Sequence, residues 1–170
     1  MKRLSLQTIV HLLFLFATIT VPVRAQDSAQ RGTVGLSCSL QRDQFDIMVP
    51  VAVSPGISFA PSIGIASVQD AGTDLHVGIT AKGYITKDQA APFIGVRTAL
   101  LSFSPKGGTP TSDWLFGGIV GGEYFFNAHL SVGIEAQLNF TVSDDTSTRF
   151  GNPGKSNFNT GTAMFASIYF

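Results

Sequence analysis

His129, Ser131 and Glu135 carry the groups in this chain that could do chemistry. A hydroxyl nucleophile needs a base within hydrogen-bond reach and a third group to orient that base. Alternate residues of a strand project from one face about 6.6 Å apart. Spacings of two and four therefore bring the three side chains to one side of an extended segment, a pattern suited to acyl transfer. Metal chemistry has less support. His11 falls in an N-terminal apolar run, and His76 and His129 lack neighbours at ligand spacing. Asp144 and Asp145 sit in a Ser/Thr-rich stretch and read as a solvated pair. Gly117-Gly118 and Gly121-Gly122 are not followed by the helix that a phosphate-binding loop requires. No cofactor or metal is expected.

The element that must position this trio is the clearest in the sequence. From 128 to 142, Leu130, Val132, Ile134, Ala136, Leu138, Phe140 and Val142 alternate with His129, Ser131, Gly133, Glu135, Gln137, Asn139 and Thr141. That is a period of two with one apolar and one polar face. About 9–11 tilted residues cross the apolar band of an outer membrane, so this strand can cross and project beyond it. Segment 75–85 repeats the pattern, with Leu75, Val77, Ile79, Ala81 and Ile85 opposite His76, Thr80, Lys82 and Tyr84. Segments 33–41, 44–53, 57–68 and 158–170 alternate as well. In 92–104 and 113–126 both faces hold apolar residues or Gly, and Arg97 and Glu123 mark the inner face. Eight strands result, and no segment shows a sustained helical period. The turns at 54–56, 86–91 and 127–128 are short. Those at 69–74, 105–112 and 143–157 are generally longer, and the hairpin at Arg42-Asp43 is short.

The chain ends carry their own signals. Lys2 and Arg3 precede an apolar run from Ile9 to Ile19, and Val23-Arg24-Ala25 places a small residue before Gln26. This reads as a cleaved secretory signal over 1–25, too short for a spanning helix. A segment 26–32 would follow in the periplasm, with one domain over 33–170. Of 11 basic and 11 acidic residues, Lys2, Arg3 and Arg24 leave with the signal, so the mature chain has 8 basic residues against 11 acidic ones. Nucleic-acid binding needs a basic stripe, so this balance excludes it. Cys38 is the single cysteine, and no internal disulfide can form. At the other end, Met164, Ala166, Ile168 and Phe170 share one face, and Gly161, Ala163, Phe165, Ser167 and Tyr169 share the other.

These features together resemble the small outer-membrane β-barrel domain family, the eight-stranded barrels of Gram-negative bacteria. The carriers are the terminal Tyr169-Phe170 and a strand–turn–strand phrase, best seen in Glu123-Tyr124-Phe125-Phe126-Asn127-Ala128-His129-Leu130-Ser131-Val132-Gly133-Ile134-Glu135. Val53 to Gly64 is a second instance, and Pro92-Phe93-Ile94-Gly95-Val96 resembles the start of a third. The resemblance covers roughly 33–170. It implies an all-β, eight-stranded antiparallel up-and-down transmembrane barrel in the outer membrane, surrounded by lipid. It implies that Tyr169 and Phe170 form part of the signal read by the barrel-insertion machinery. It implies no reaction.

In a closed barrel of eight strands the interior is just wide enough for side chains to fill. Buried charges there must pair. Asp46, Lys82, Arg97, Glu123 and Glu135 are expected inside as a structural network, with Lys82 and Arg97 meeting the three carboxylates. Trp114 and Phe116 should mark the outer interface and Tyr124, Phe126 and Phe170 the periplasmic one. The expected role is structural or interactive, through exposed loops 105–112 and 143–157. Two alternatives follow from the same residues. A secreted lipocalin-like barrel for a small apolar ligand would turn its apolar face inward. The His129-x-Ser131 pair is also similar to the site of outer-membrane lipid A deacylases. However, the polar face points into the lumen and His129 falls at the periplasmic end, so no enzyme is expected.

Overall fold

The computed structural model describes residues 33–41, 44–68 and 70–170. The secretory signal 1–25, the segment 26–32 and the hairpin tip Arg42-Asp43 lie outside them. Nine strands run antiparallel: β1 (Gly35–Gln41), β2 (Gln44–Met48), β3 (Val51–Ser54), β4 (Ile57–Val68), β5 (Gly72–Tyr84), β6 (Ala90–Pro105), β7 (Thr111–Phe125), β8 (Leu130–Val142) and β9 (Ser156–Tyr169). Consecutive strands pair except β2 and β3, β1 pairs with β9, and β2 pairs with β4, so the sheet closes on itself. No helix of the described residues is long and apolar enough to cross a membrane, which says nothing of strands.

β2 and β3 are two halves of one strand, so the wall has eight staves. The break has a local chemical cause. Val49 donates to the Pro61 carbonyl at 3.0 Å, and Gly35 donates to the Pro50 carbonyl at 2.8 Å. Neither proline has an N–H to return the bond, so each seam loses one rung at the same height. The register on both sides of Pro50 is unchanged.

The alternation read from the sequence is the inside–outside alternation of the wall. Ile134, Leu138, Val96, Val120 and Ile79 face out and are exposed, while Lys82, Glu123, Glu135, Gln137 and Asn139 are buried. A lipocalin-like barrel would have the reverse polarity. Trp114 and Phe116 stack side by side on the outside, and Phe116, Phe140 and Phe158 are direct cross-strand partners in β7, β8 and β9. Tyr124, Phe126 and Phe170 are also exposed, at the opposite end.

The interior is not purely polar. Phe93, Ile119 and Phe165 form one buried layer, and Ala91, Phe125 and Tyr169 form another, with Tyr84 against both. These rings fill the lower barrel because glycines face them. A Cβ on Gly133 would lie 2.2 Å from the Phe165 ring, and one on Gly121 would lie 2.6 Å from Phe93. Gly133 and Phe165 are direct cross-strand partners, so the ring lies flat over the bare backbone of the next strand. This explains the noisy period in 92–104 and 113–126: large inward rings there meet inward glycines.

The strands run longer than the sequence indicates at the end opposite the termini. The connection read as 69–74 is a tight turn, because Asp70 (φ 67°) and Gly72 (φ 141°) adopt left-handed backbone and β5 starts at Gly72. Asp, like Gly, tolerates that region. The remaining loops shorten to 106–110 and 143–155, and β8 begins at Leu130. Strand β6 has 16 residues, more than the roughly 9–11 that a bilayer needs. The surplus carries Asp74 and Asp113 above the aromatic row.

Candidate functional site in the barrel lumen

Among the described residues, three polar clusters occupy the lumen at three heights. The lowest surrounds Glu123, which is 2 % exposed. Its carboxylate accepts from Ser131 Oγ at 2.5 Å, Tyr84 Oη at 2.5 Å and Tyr169 Oη at 2.9 Å. These donors come from the adjacent β8 and from β5 and β9, each two strands away from β7. Three hydroxyls satisfy a buried carboxylate without a cation.

Next comes Lys82, whose ammonium lies 3.5 Å from Glu135 Oε2. It also sits 3.7 Å from the Phe165 ring centroid and 4.4 Å from that of Phe93. Gln137 donates to Glu135 at 2.8 Å. The aromatic faces add cation–π attraction in a dry setting. Higher again, His76 Nδ1 lies 2.8 Å from Asp46 Oδ1 and 2.6 Å from Gln44 Nε2, which also donates to Asp46 at 3.1 Å. A Cβ on Gly64, its cross-strand partner, would collide with this carboxylate, so the glycine makes the room. Arg97 donates to Gln41 Oε1 at 3.4 Å and joins no ion pair among the described residues.

Of the five ionisable residues singled out in the sequence, only Lys82 and Glu135 are thus in direct contact. Glu123 and Asp46 take hydroxyl, imidazole and amide partners. The acyl-transfer trio is not assembled. His129 lies in the turn before β8, and its Nδ1 bonds the Tyr169 carbonyl at 2.9 Å. Ser131 is fully buried and its hydroxyl donates a hydrogen bond to Glu123.

The mouth of the barrel holds a cluster that the sequence did not reveal. Arg149, in the β8–β9 loop, makes a bidentate pair with Asp74, at 2.7 and 2.8 Å. Its Nε lies 3.3 Å from Asp113 Oδ2. Asp113 is fully buried and also accepts from Asp144 N at 2.9 Å and Ser147 Oγ at 2.8 Å. Phe150 packs on the layer of Ala99, Leu101 and Leu115. The loop is thereby folded across the opening and latched to β5 and β7. The backbone N–H and then the hydroxyl of Thr146 hold the Asp144 carboxyl below the usual carboxylate range. Extending the inward alternation by one step to Asp74 and Asp113 would have flagged two of these residues. Nothing local flags Arg149, whose partners are 75 and 36 positions away in the chain.

Arg149→Gln removes the fork from Asp74 and the cation from Asp113. Charge-assisted bonds of this kind contribute about 1.5–3 kcal/mol. Cleavage within 143–155 by a protease should then accelerate about tenfold or more, with the barrel left intact. An unchanged cleavage rate would show that the latch does not hold the loop.

No protein-family model matches the chain, and no curated protein matches it significantly. Solved structures do. The N-terminal β-barrel domain of Pseudomonas aeruginosa OprF aligns with a TM-score of 0.59 at 10% identity, over 82% of this chain and 98% of that one. The two structures share a closed barrel with almost no sequence in common. This chain has the eight-stranded antiparallel barrel fold. The fold is also that of Neisserial surface protein A (NspA), with a TM-score of 0.54 at 14% identity, over 81% of this chain and 93% of the other. Identities this low carry the fold alone, and the function of the barrel rests on its own residues.

Proposed function

We propose that this chain is an integral outer-membrane β-barrel with a structural or surface-interaction role, its lower lumen filled by side chains and its outer end presenting loops 106–110 and 143–155. The observation that carries this reading is the polarity of the wall. Among the described residues, Ile134, Leu138, Val96, Val120 and Phe158 lie exposed on a closed barrel, while Lys82, Asp113, Glu123 and Glu135 are enclosed. In water such a surface aggregates. In lipid it is the required surface, because a closed ladder leaves no backbone group unpaired. Aromatics at both ends fit two interfaces, and one of the similar solved structures is named a surface protein.

The lower lumen is packed by aromatic layers and the Lys82 and Glu123 clusters, so a filled plug, not a conducting path, is the reading the geometry favours. The C-terminal strand is proposed as the element the insertion machinery grips. Tyr169 faces inward onto Glu123, whereas Phe170 is exposed and its backbone is bonded to Val34 and Thr33, just before β1.

The mature chain, expressed with an outer-membrane export signal, should appear in the membrane pellet and migrate differently on a detergent gel with and without boiling. A monodisperse, detergent-free soluble protein with no heat-dependent shift would refute the proposal.

A further inference from the structure

The upper lumen holds a cavity of about 960 Å³. Its lining runs from Arg97, deep in the barrel, to Phe103 near the end of β6, so it reaches the mouth. Alternate residues of that strand are about 6.6 Å apart, so three such steps separate the deep end from the rim. Ala66 of β4 lines the same rim beside its cross-strand partner Asp74. Arg149 and Phe150 line the cavity too, so the latched β8–β9 loop forms one side of the entrance.

The deep end is polar and incompletely paired. Arg97, Gly117, Asn139 and Asn159 form one cross-strand row over β6 to β9. A Cβ on Gly117 would lie 2.5 Å from Asn139 Oδ1 and 3.1 Å from Arg97 Cγ, so bare backbone lets the two side chains close over it. Arg97 donates to Gln41 at 3.4 Å, which is weak. Asn139 donates to Gln137 and Asn159 at 3.4 and 3.3 Å, which is no better. His76 stands two inward steps higher on β5, paired with Leu101. Asn139 Oδ1, Asn159 Nδ2 and His76 Nε2 have no hydrogen-bond partner, although Asn139 and His76 are only 2 % and 4 % exposed. With Asp46 beside Nδ1, a neutral His76 carries its proton there and leaves Nε2 as an acceptor. The row therefore offers donors and acceptors together, and buried groups left unmet are costly.

That mixture selects the ligand. A carboxylate or phosphate only accepts and would leave Asn139 Oδ1 and His76 Nε2 unmet. An ammonium only donates and would be repelled by Arg97. A hydroxyl does both. We propose that the upper lumen binds a neutral saccharide that enters through the mouth. Its hydroxyls accept from Arg97 and Asn159 and donate to Asn139 and His76. The C–H faces of its ring rest on Phe103 and Phe150, nearer the mouth. The volume suits one or two sugar rings, since binding pockets run about 300–1,000 Å³. The inference deepens the surface-interaction reading above and rests on it, because only in that reading does the mouth face outside the cell.

The test uses the folded barrel in lauryldimethylamine oxide, a detergent without a sugar head. The probes are the methyl glycosides of glucose, galactose, mannose and N-acetylglucosamine, with acetate and methylammonium as charged controls. Saturation-transfer NMR reads binding. At least one glycoside is expected to receive transfer and neither control to compete with it. Asn139→Leu keeps the side-chain size and removes the polar atoms, so affinity should fall about tenfold. Ala66→Trp sits at the exposed rim, leaves the deep row intact and should abolish the transfer by narrowing the entrance. Should Asn139→Leu fail to fold, shown by loss of its heat-dependent gel shift, Ala66→Trp decides. Transfer to no glycoside, transfer undiminished in Ala66→Trp, or displacement by acetate overturns the inference. The heat-dependent shift of the unaltered protein, scored in parallel, reports on the membrane reading separately: a barrel that keeps it and binds no glycoside sinks this inference alone.

Discussion

Glu135→Ala is expected to lower the free energy of unfolding by about 3–5 kcal/mol, measured by urea titration of the barrel folded in vesicles. The substitution leaves Lys82 charged, 6 % exposed and without a carboxylate in contact. Phe165 and Phe93 still face the ammonium but cannot neutralise it. The cost is that of an uncompensated buried charge, and it exceeds what the pair itself contributes. The double variant Lys82→Met with Glu135→Leu should therefore recover most of the loss, because a well-packed apolar pair replaces an ion pair at little net cost. A single-variant loss below about 1 kcal/mol would show that water screens the pair as at a surface.

The second large effect lies on the opposite face of the same strand. Ile134→Arg places a cation on the outside of β8, at a residue 56% exposed between Val132 and Leu138. In a bilayer midplane this costs about 2–4 kcal/mol, falling to about 0–1 near the interfaces. The same substitution at Val142, close to the outer aromatic row, should therefore cost less. This gradient with depth separates the two environments sharply. For a barrel in water, an arginine at an exposed aliphatic position costs little and improves solubility. Equal and small losses at both positions would mean that no lipid touches this wall.

The pair of predictions uses one strand to probe both surfaces, and it exposes how the molecule divides its energetics. Outward side chains do not pack against each other as a core does, so each responds mainly to its solvent. Inward side chains are coupled through shared partners. Glu123 alone links three strands through Ser131, Tyr84 and Tyr169. Changes in that cluster are expected to be strongly non-additive, whereas outward changes should add.

The sequence by itself determined the wall. Alternation over 128–142 and 75–85 is a local property, and a side-chain period of two leaves one assignment of faces once one face is apolar. Even the noisy stretches gave the right inner residues, Arg97 and Glu123. Polarity also fixed which residues would be enclosed, since Asp46, Lys82 and Glu135 sit on the polar face of their strands. Tertiary structure alone decided who meets whom. Pairing inside a barrel joins different strands and depends on stagger, which no single strand encodes. Hence Glu123 found three hydroxyls, Asp46 found His76, and Arg97 was left on a cavity wall. The latch of Arg149 on Asp74 and Asp113 joins a loop to two distant strands. It is a consequence of closure: only when the sheet returns on itself does a loop's reach acquire something to touch.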